Sequence, residues 1–131
     1  MKIKLTSVYV DDQDKALAFY TEKLGFQKKM EFQSGDFKWL TVVSPEDPDG
    51  TELVLEANTN PAAKALQQSL KDQGSSAANF YSADVQGDYD RIVAKGVTFI
   101  TPPMKTTGSV IAMLDDTCGN LIQLTQLTWG G

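Results

Sequence analysis

The sequence predicts an α+β fold: two repeated βαβββ units whose sheets curve side by side into a half-open barrel, with a concave cup inside and the helices outside. Three observations predict it. Residues 3–10 alternate as a strand, Asp11 and Asp12 follow, the helical run Ala16-Leu17-Ala18-Phe19-Tyr20 comes next, and Leu24-Gly25-Phe26 closes the unit. The pattern returns at Ala78-Asn79-Phe80-Tyr81-Ser82-Ala83-Asp84, with a second helical run holding Tyr89, Ile92 and Val93 that ends at Lys95-Gly96-Val97. Late in each half an aspartate-rich turn, Asp47-Pro48-Asp49-Gly50 or Asp115-Asp116-Thr117-Cys118-Gly119, feeds a strand. A repeat of this kind marks a duplicated supersecondary unit, and duplication places a shared site between the copies.

Each element has a local reason. In the first strand Leu5, Ser7 and Tyr9 share one face, with Thr6, Val8 and Val10 on the other. Asp12 is placed to cap the helix that presents Ala16, Phe19, Tyr20 and Leu24, and Gly25 supplies its left-handed stop. Residues 27–33 and 37–43 form a hairpin across Ser34-Gly35-Asp36. An acid- and proline-rich turn over residues 44–50 leads into the fourth strand, 51–56. Asn60-Pro61 opens a helix through Leu66 and Leu70, with asparagine as cap and proline in the first turn. Residues 72–76 link the halves. The second half reads strand 77–83, helix 86–95, strand 97–100, a loop containing Pro102 and Pro103, then strands 109–114 and 120–127. The chain is thus one domain over 1–131, with repeat halves at about 1–58 and 76–128 joined by a helix and linker.

Composition narrows the function. The 131 residues suffice for a core without staples, and an apolar fraction of 41% with 22% charged is ordinary for a soluble chain. The single cysteine, Cys118, excludes an intrachain disulfide and fits a cytoplasmic, reducing compartment. No apolar stretch is long enough to span a bilayer, and the lysine-punctuated start reads as a strand rather than a signal peptide. A net charge of −5 disfavours nucleic acid and anionic membranes as partners. Arg91 is the only arginine, which disfavours a dedicated phosphate clamp. Histidine is absent, so no Ser-His-Asp or Cys-His arrangement exists, and no glycine-rich nucleotide cradle is present.

Val10-Asp11-Asp12 followed by Ala16, Phe19-Tyr20 and Leu24-Gly25-Phe26 resembles the opening motif of the vicinal oxygen chelate superfamily. That group includes glyoxalase I, extradiol dioxygenases, fosfomycin-resistance enzymes and bleomycin-binding proteins. The run from Asp115 to Leu124 resembles the family's final turn and strand. The resemblance covers nearly the whole chain and is specific for fold, whereas one scaffold serves lyases, dioxygenases, transferases and binders. In metal-dependent members each of four cup strands supplies one ligand. The resemblance lays those positions on Leu5, on Ala78, on Gln123 and on one of Glu52, Val54 or Glu56. Leucine and alanine offer no lone pair, and a neutral amide is a poor ligand for a divalent transition metal.

The leading expectation is therefore a metal-free, small-molecule-binding protein of the glyoxalase/bleomycin-resistance type, without cofactor or catalytic residue and working as a homodimer. The cup is expected to be lined by Leu5, Ser7, Trp39, Glu56, Phe80, Met113 and Gln123. Aromatic and apolar walls would enclose a mostly apolar molecule, and a glutamate would favour a cationic group on it. Two alternatives stand beside this reading. One is a glyoxalase-type lyase or dioxygenase with a degenerate metal site. The other is an accessory interaction module whose cup is filled by its own side chains. Cys118 has no base to activate it, and Lys28-Lys29 reads as a solvated edge.

Overall fold

The computed structural model describes residues 1–129, and in it the chain divides into two compact units, Met1–Leu66 and the stretch from Gln67 onward. The first unit runs β1 (Leu5–Val10), α1 (Gln13–Ala18) with a π-helical turn over Phe19–Lys23, β2 (Gln27–Ser34), β3 (Phe37–Val43) and β4 (Glu52–Ala57). Helix α2 (Pro61–Asp72) leads into the second unit, which holds β5 (Ala78–Tyr81), α3 (Val85–Ala94), β6 (Phe99–Thr106), β7 (Ser109–Asp115) and β8 (Leu121–Leu127). The strands make two four-stranded mixed sheets, ordered β1-β4-β3-β2 and β5-β8-β7-β6. In each, the first and last strands pair in parallel and the others antiparallel, so the βαβββ repeat is real.

The repeat is written in its caps. The Asp12 carboxylate accepts from the Lys15 amide at 3.0 Å, and the Asp84 carboxylate accepts from the Gly87 amide at 3.0 Å. Each satisfies an amide that the first helical turn leaves open. Gly25 and Gly96, which end the two helical segments, both sit at φ 89°, a conformation that costs glycine nothing. Asn60 caps α2 by accepting from the Ala62 amide at 2.9 Å.

Each sheet buries one face. In the first unit Val8, Val10, Leu40, Val42, Leu53 and Leu55 are buried together with Ala16, Phe19 and Tyr20 of the helical segment. In the second, Ala112, Leu114, Ile122 and Leu124 are buried with Val85 and Ile92 of α3, and Tyr89 meets Phe99 edge-to-face at 4.7 Å. Burying such side chains contributes about 1.5–3 kcal/mol each.

A polar knot fixes the turn between β7 and β8. The Asp116 carboxylate, fully buried, accepts from the Cys118 amide at 2.7 Å, the Asn120 amide at 3.0 Å and the Asn120 side-chain amide at 2.8 Å. Gln67 of α2 donates to the Cys118 carbonyl at 3.2 Å and to Asn120 Oδ1 at 3.1 Å. A buried carboxylate without such donors would be strongly destabilising.

Two expectations need correction. The strand expected at 97–100 begins only at Phe99 and runs on through the expected loop holding Pro102 and Pro103 as one longer strand, β6. Strand β6 lies at the sheet edge, and its pairing with β7 shifts register between Thr101 and Met104, so the prolines need no partner for their missing amides. The strand expected at 77–83 is shorter, because Ser82 and Asp84 turn the chain into α3: the Asp84 amide donates to Ser82 Oγ at 3.0 Å. Among the described residues, no helix is long and apolar enough to cross a membrane.

Candidate functional site

Register places the candidate residues. In the first unit Leu5 pairs with Glu52, Ser7 with Val54 and Tyr9 with Glu56 along β1 and β4. Thr41 of β3 pairs with Val54, and Phe32 of β2 pairs with Trp39. Side chains alternate along a strand, so Leu5, Ser7, Trp39 and Glu56 all lie on the face opposite α1. The structure brings these four expected residues onto one open face.

That face carries an aromatic row. The Trp39 ring stacks near Phe32 with centroids 6.4 Å apart and planes 27° from parallel. Phe37, two residues before Trp39 on β3, lies 6.4 Å from it with a 40° tilt. Phe32 and Phe37 are 52% and 56% exposed, so the row is a surface rather than a core. Glu52 is engaged there as well: the Thr41 hydroxyl, itself buried, donates to its carboxylate at 2.7 Å.

Beside the row is a groove of about 360 Å³, lined among others by Gln13, Asp36, Phe37, Val54 and Glu56. Its origin is local. Strands β3 and β4 pair at Thr41–Val54 and Val42–Leu53. At the other end Gln13 of α1 bridges the two strands, its side-chain amide donating to the Lys38 carbonyl at 2.9 Å and the Leu55 carbonyl at 2.8 Å. The bridge satisfies two carbonyls of the parting strands. The groove thus puts the half-buried Glu56 carboxylate close to an exposed phenyl ring.

The opposite face of this sheet holds an ionic cluster. Lys38 pairs with Asp14 of α1 and, at 3.2 Å, with Glu31, which also meets Lys28 at 3.0 Å. The hydrogen bond from Lys28, followed by that from Lys38, holds the Glu31 carboxyl below its usual range. The hydrogen bond to Asp14 raises Lys38, against a smaller opposing effect of burial.

In the second unit the expected residues part company. Asn79 pairs with Gln123 and Phe80 with Leu124 along β5 and β8, while Met113 opposes Gln123 from β7. Gln123 and Met113 therefore share the open face, with Asn79, Tyr81 and Thr125. Phe80 shares the other face with the buried Ile122 and Leu124, on the side where α3 packs. The expectation that Phe80 stands beside Gln123 is corrected on this point. The physical cause is a one-residue slip, which moves a side chain to the opposite face of a strand. The capping aspartates set the true correspondence: Leu5 lies seven residues before Asp12, and Ala77, not Ala78, lies seven before Asp84. The same offset matches Ser7 to Asn79 and Tyr9 to Tyr81, a signal present in the sequence that points to Asn79 and Tyr81 as face residues. Phe37, Gln13 and Thr125 were also not foreseen; for Phe37, its spacing of two from Trp39 was the available sign.

The donor set at the positions of the family's metal is Leu5, Ala77 and Gln123, with Val54 paired to Ser7 in the place that Gln123 takes beside Asn79. Two alkyl side chains, a valine and a neutral amide do not fit a divalent transition metal. Among the described residues no three His, Cys, Asp or Glu side chains gather to hold an ion.

Two units of this topology, each with one open face, define the glyoxalase/bleomycin-resistance architecture. Residues 2–124 match the Glyoxalase/Bleomycin resistance protein/Dioxygenase superfamily, and the chain belongs to it. The chain is 56% identical over 126 residues to the uncharacterised protein YurT of Bacillus subtilis (strain 168), covering 96% of this chain and 99% of that protein. Among solved structures it is similar to UcmS2, with a TM-score of 0.83 and 28% identity, over 95% of this chain and 97% of the other. It is also similar to TnmS3, described as an antibiotic binding protein from Streptomyces sp. CB03234, with a TM-score of 0.77 and 28% identity over 98% and 97% of the two chains.

Proposed function

We propose that this protein binds a small, mostly apolar molecule bearing one polar or cationic group, and that it does so without a metal at the family's ligand positions. The observation that carries this reading is the exposed row Phe32–Trp39–Phe37 ending in the groove beside Glu56. Aromatic faces offer large, rigid contact area, and a cation over such a face gains further attraction. The Glu56 carboxylate supplies a counter-charge whose pull grows as a ligand excludes water. The likeness to an antibiotic binding protein supports the same reading, as does the misfit between the donor set and a metal. An aromatic row offers contact area rather than a reacting group, so sequestration is favoured over turnover. The work would be done in the cytoplasm. A homodimer is supported by the apolar side chains on the open face, including Leu5 at 47% exposure.

The test is a titration with two probes: proflavine, a planar aromatic cation, and anthraquinone, a neutral planar molecule. Trp39 emission would be followed in a Trp129→Phe background. Saturable quenching by either probe, lost in Phe37→Ala, is the expected result. Absence of quenching by both would reject the aromatic row as a binding surface.

A further inference from the structure

The open face of the second sheet carries a hydrogen-bonded chain whose chemistry is more selective than an aromatic wall. Asn79 and Gln123 are register neighbours on β5 and β8, and Thr125 lies two residues beyond Gln123 on the same face. The Gln123 side-chain amide donates to Thr125 Oγ1 at 3.1 Å, and Thr125 Oγ1 donates to Asn79 Oδ1 at 2.8 Å. Thr125 is only 5% exposed, so its hydroxyl is held by these two amides rather than by bulk water.

A hydroxyl has one hydrogen. Donating to Asn79, Thr125 must accept from Gln123, which leaves Gln123 with an uncommitted carbonyl oxygen and one remaining N–H, and Asn79 with an uncommitted NH2 group. If both amides turn over and the hydroxyl rotates, the same bonds form in the opposite sense, with the free acceptor at Asn79 and the free donor at Gln123. In either sense the strip shows one free carbonyl oxygen at one end and one free NH2 at the other. The first unit has no such freedom: Thr41 donates to the Glu52 carboxylate, which as a carboxylate can only accept.

We propose that this strip is a recognition site for a ligand edge that presents a donor and an acceptor side by side, as a lactam, imide or primary carboxamide does. The proposal rests on the small-molecule-binding reading and deepens it by naming a chemical class. A carboxylate, which only accepts, leaves the free carbonyl oxygen unmatched. An ammonium, which only donates, leaves the free NH2 unmatched. Neither free end is a buried unsatisfied atom, so water serves both in the empty protein. A ligand that covers both ends but matches only one must then strip water from the other without replacement. Tyr81, paired with Thr125 and 65% exposed, offers a flat apolar surface for the ring that bears the amide edge. Met113, opposite Gln123, is an adaptable wall on the other side.

The experiment uses 2-quinolone, a planar lactam, and N-methyl-2-quinolone, which keeps the ring and carbonyl but loses the donor. Binding is read from the side-chain amide NMR signals of Asn79 and Gln123, with Trp39 emission recorded in parallel. The proposal expects 2-quinolone to shift both amide signals and N-methylation to weaken its binding roughly three- to tenfold. Thr125→Val, which removes the relay hydroxyl at nearly constant volume, should narrow that difference, and Thr125→Ser should restore it. Equal binding of the two quinolones, or amide signals that stay still while Trp39 responds, would overturn the proposal and leave the binding function standing. Silence at both the amides and Trp39, with these probes and with proflavine and anthraquinone, would overturn both.

Discussion

On the proposed binding face Trp39 would act by contact area and Glu56 by charge. Replacing Trp39 by alanine is expected to weaken any bound aromatic ligand by about 1–3 kcal/mol, through lost apolar contact. Glu56→Gln keeps the shape and removes the charge, so it should weaken proflavine and leave anthraquinone unchanged; fluorescence titration separates the two. Phe80 makes the opposite prediction. Because it lies on the α3 side of its sheet, Phe80→Ala should lower the urea midpoint, by about 2 kcal/mol in stability, with ligand affinity retained. A variant that folded normally but lost binding would put Phe80 back on the open face. Leu5, Ser7, Trp39 and Glu56 could be placed from parity alone, because Val8 and Val10 mark the buried face of β1, Leu40 and Val42 that of β3, and Leu53 and Leu55 that of β4. Gln13 could not: its importance comes from two carbonyls 25 and 42 residues away, which no local pattern reveals.

At the level of elements, helix caps were the most legible feature. Asp12 and Asn60 accept the amides expected of them, since capping depends only on residues within one turn, and Asp84, read from the sequence only as the end of a strand, caps α3 in the same way. Strand register was less legible in β5, a strand of four residues with too few alternations to fix its parity. Strand β6 was missed past Ile100 because proline normally ends a strand, and only its place at the edge makes an exception. The ionic cluster joining α1, β2 and β3 gives these elements a pH dependence. Glu31 has a lowered pKa, so its stabilisation is fully present above the unfolded value of 4.5 and is lost as pH falls through the lower folded value. Lys38 has a raised pKa, so its share is present below 10.5 and is lost only as pH climbs through the higher folded value. The urea midpoint should therefore fall on acidification below 4.5, and Glu31→Gln should make that fall shallower. An identical slope in the variant would show the cluster to be energetically idle.

For the whole molecule, two measurements bear on the proposed function. Protein loaded with nickel, zinc, iron or manganese and then desalted should retain well under one equivalent by elemental analysis, because Leu5, Ala77 and Gln123 supply no strong donor. Stoichiometric retention would move the protein to the metal-dependent branch of its family. Light scattering at micromolar concentration should give a mass near twice 14.3 kDa; a monomeric mass would remove the homodimer. The two prolines of β6 also reach beyond binding. Fibril growth by strand addition requires a sheet that can receive a strand at one edge and offer a template at the other. Pro102 and Pro103 take two donors out of the outermost strand of the second sheet. A misfolding neighbour that joined that sheet at β5 would find no continuous ladder to propagate at β6. The sheet would act as a terminator of polymerisation rather than a seed for it.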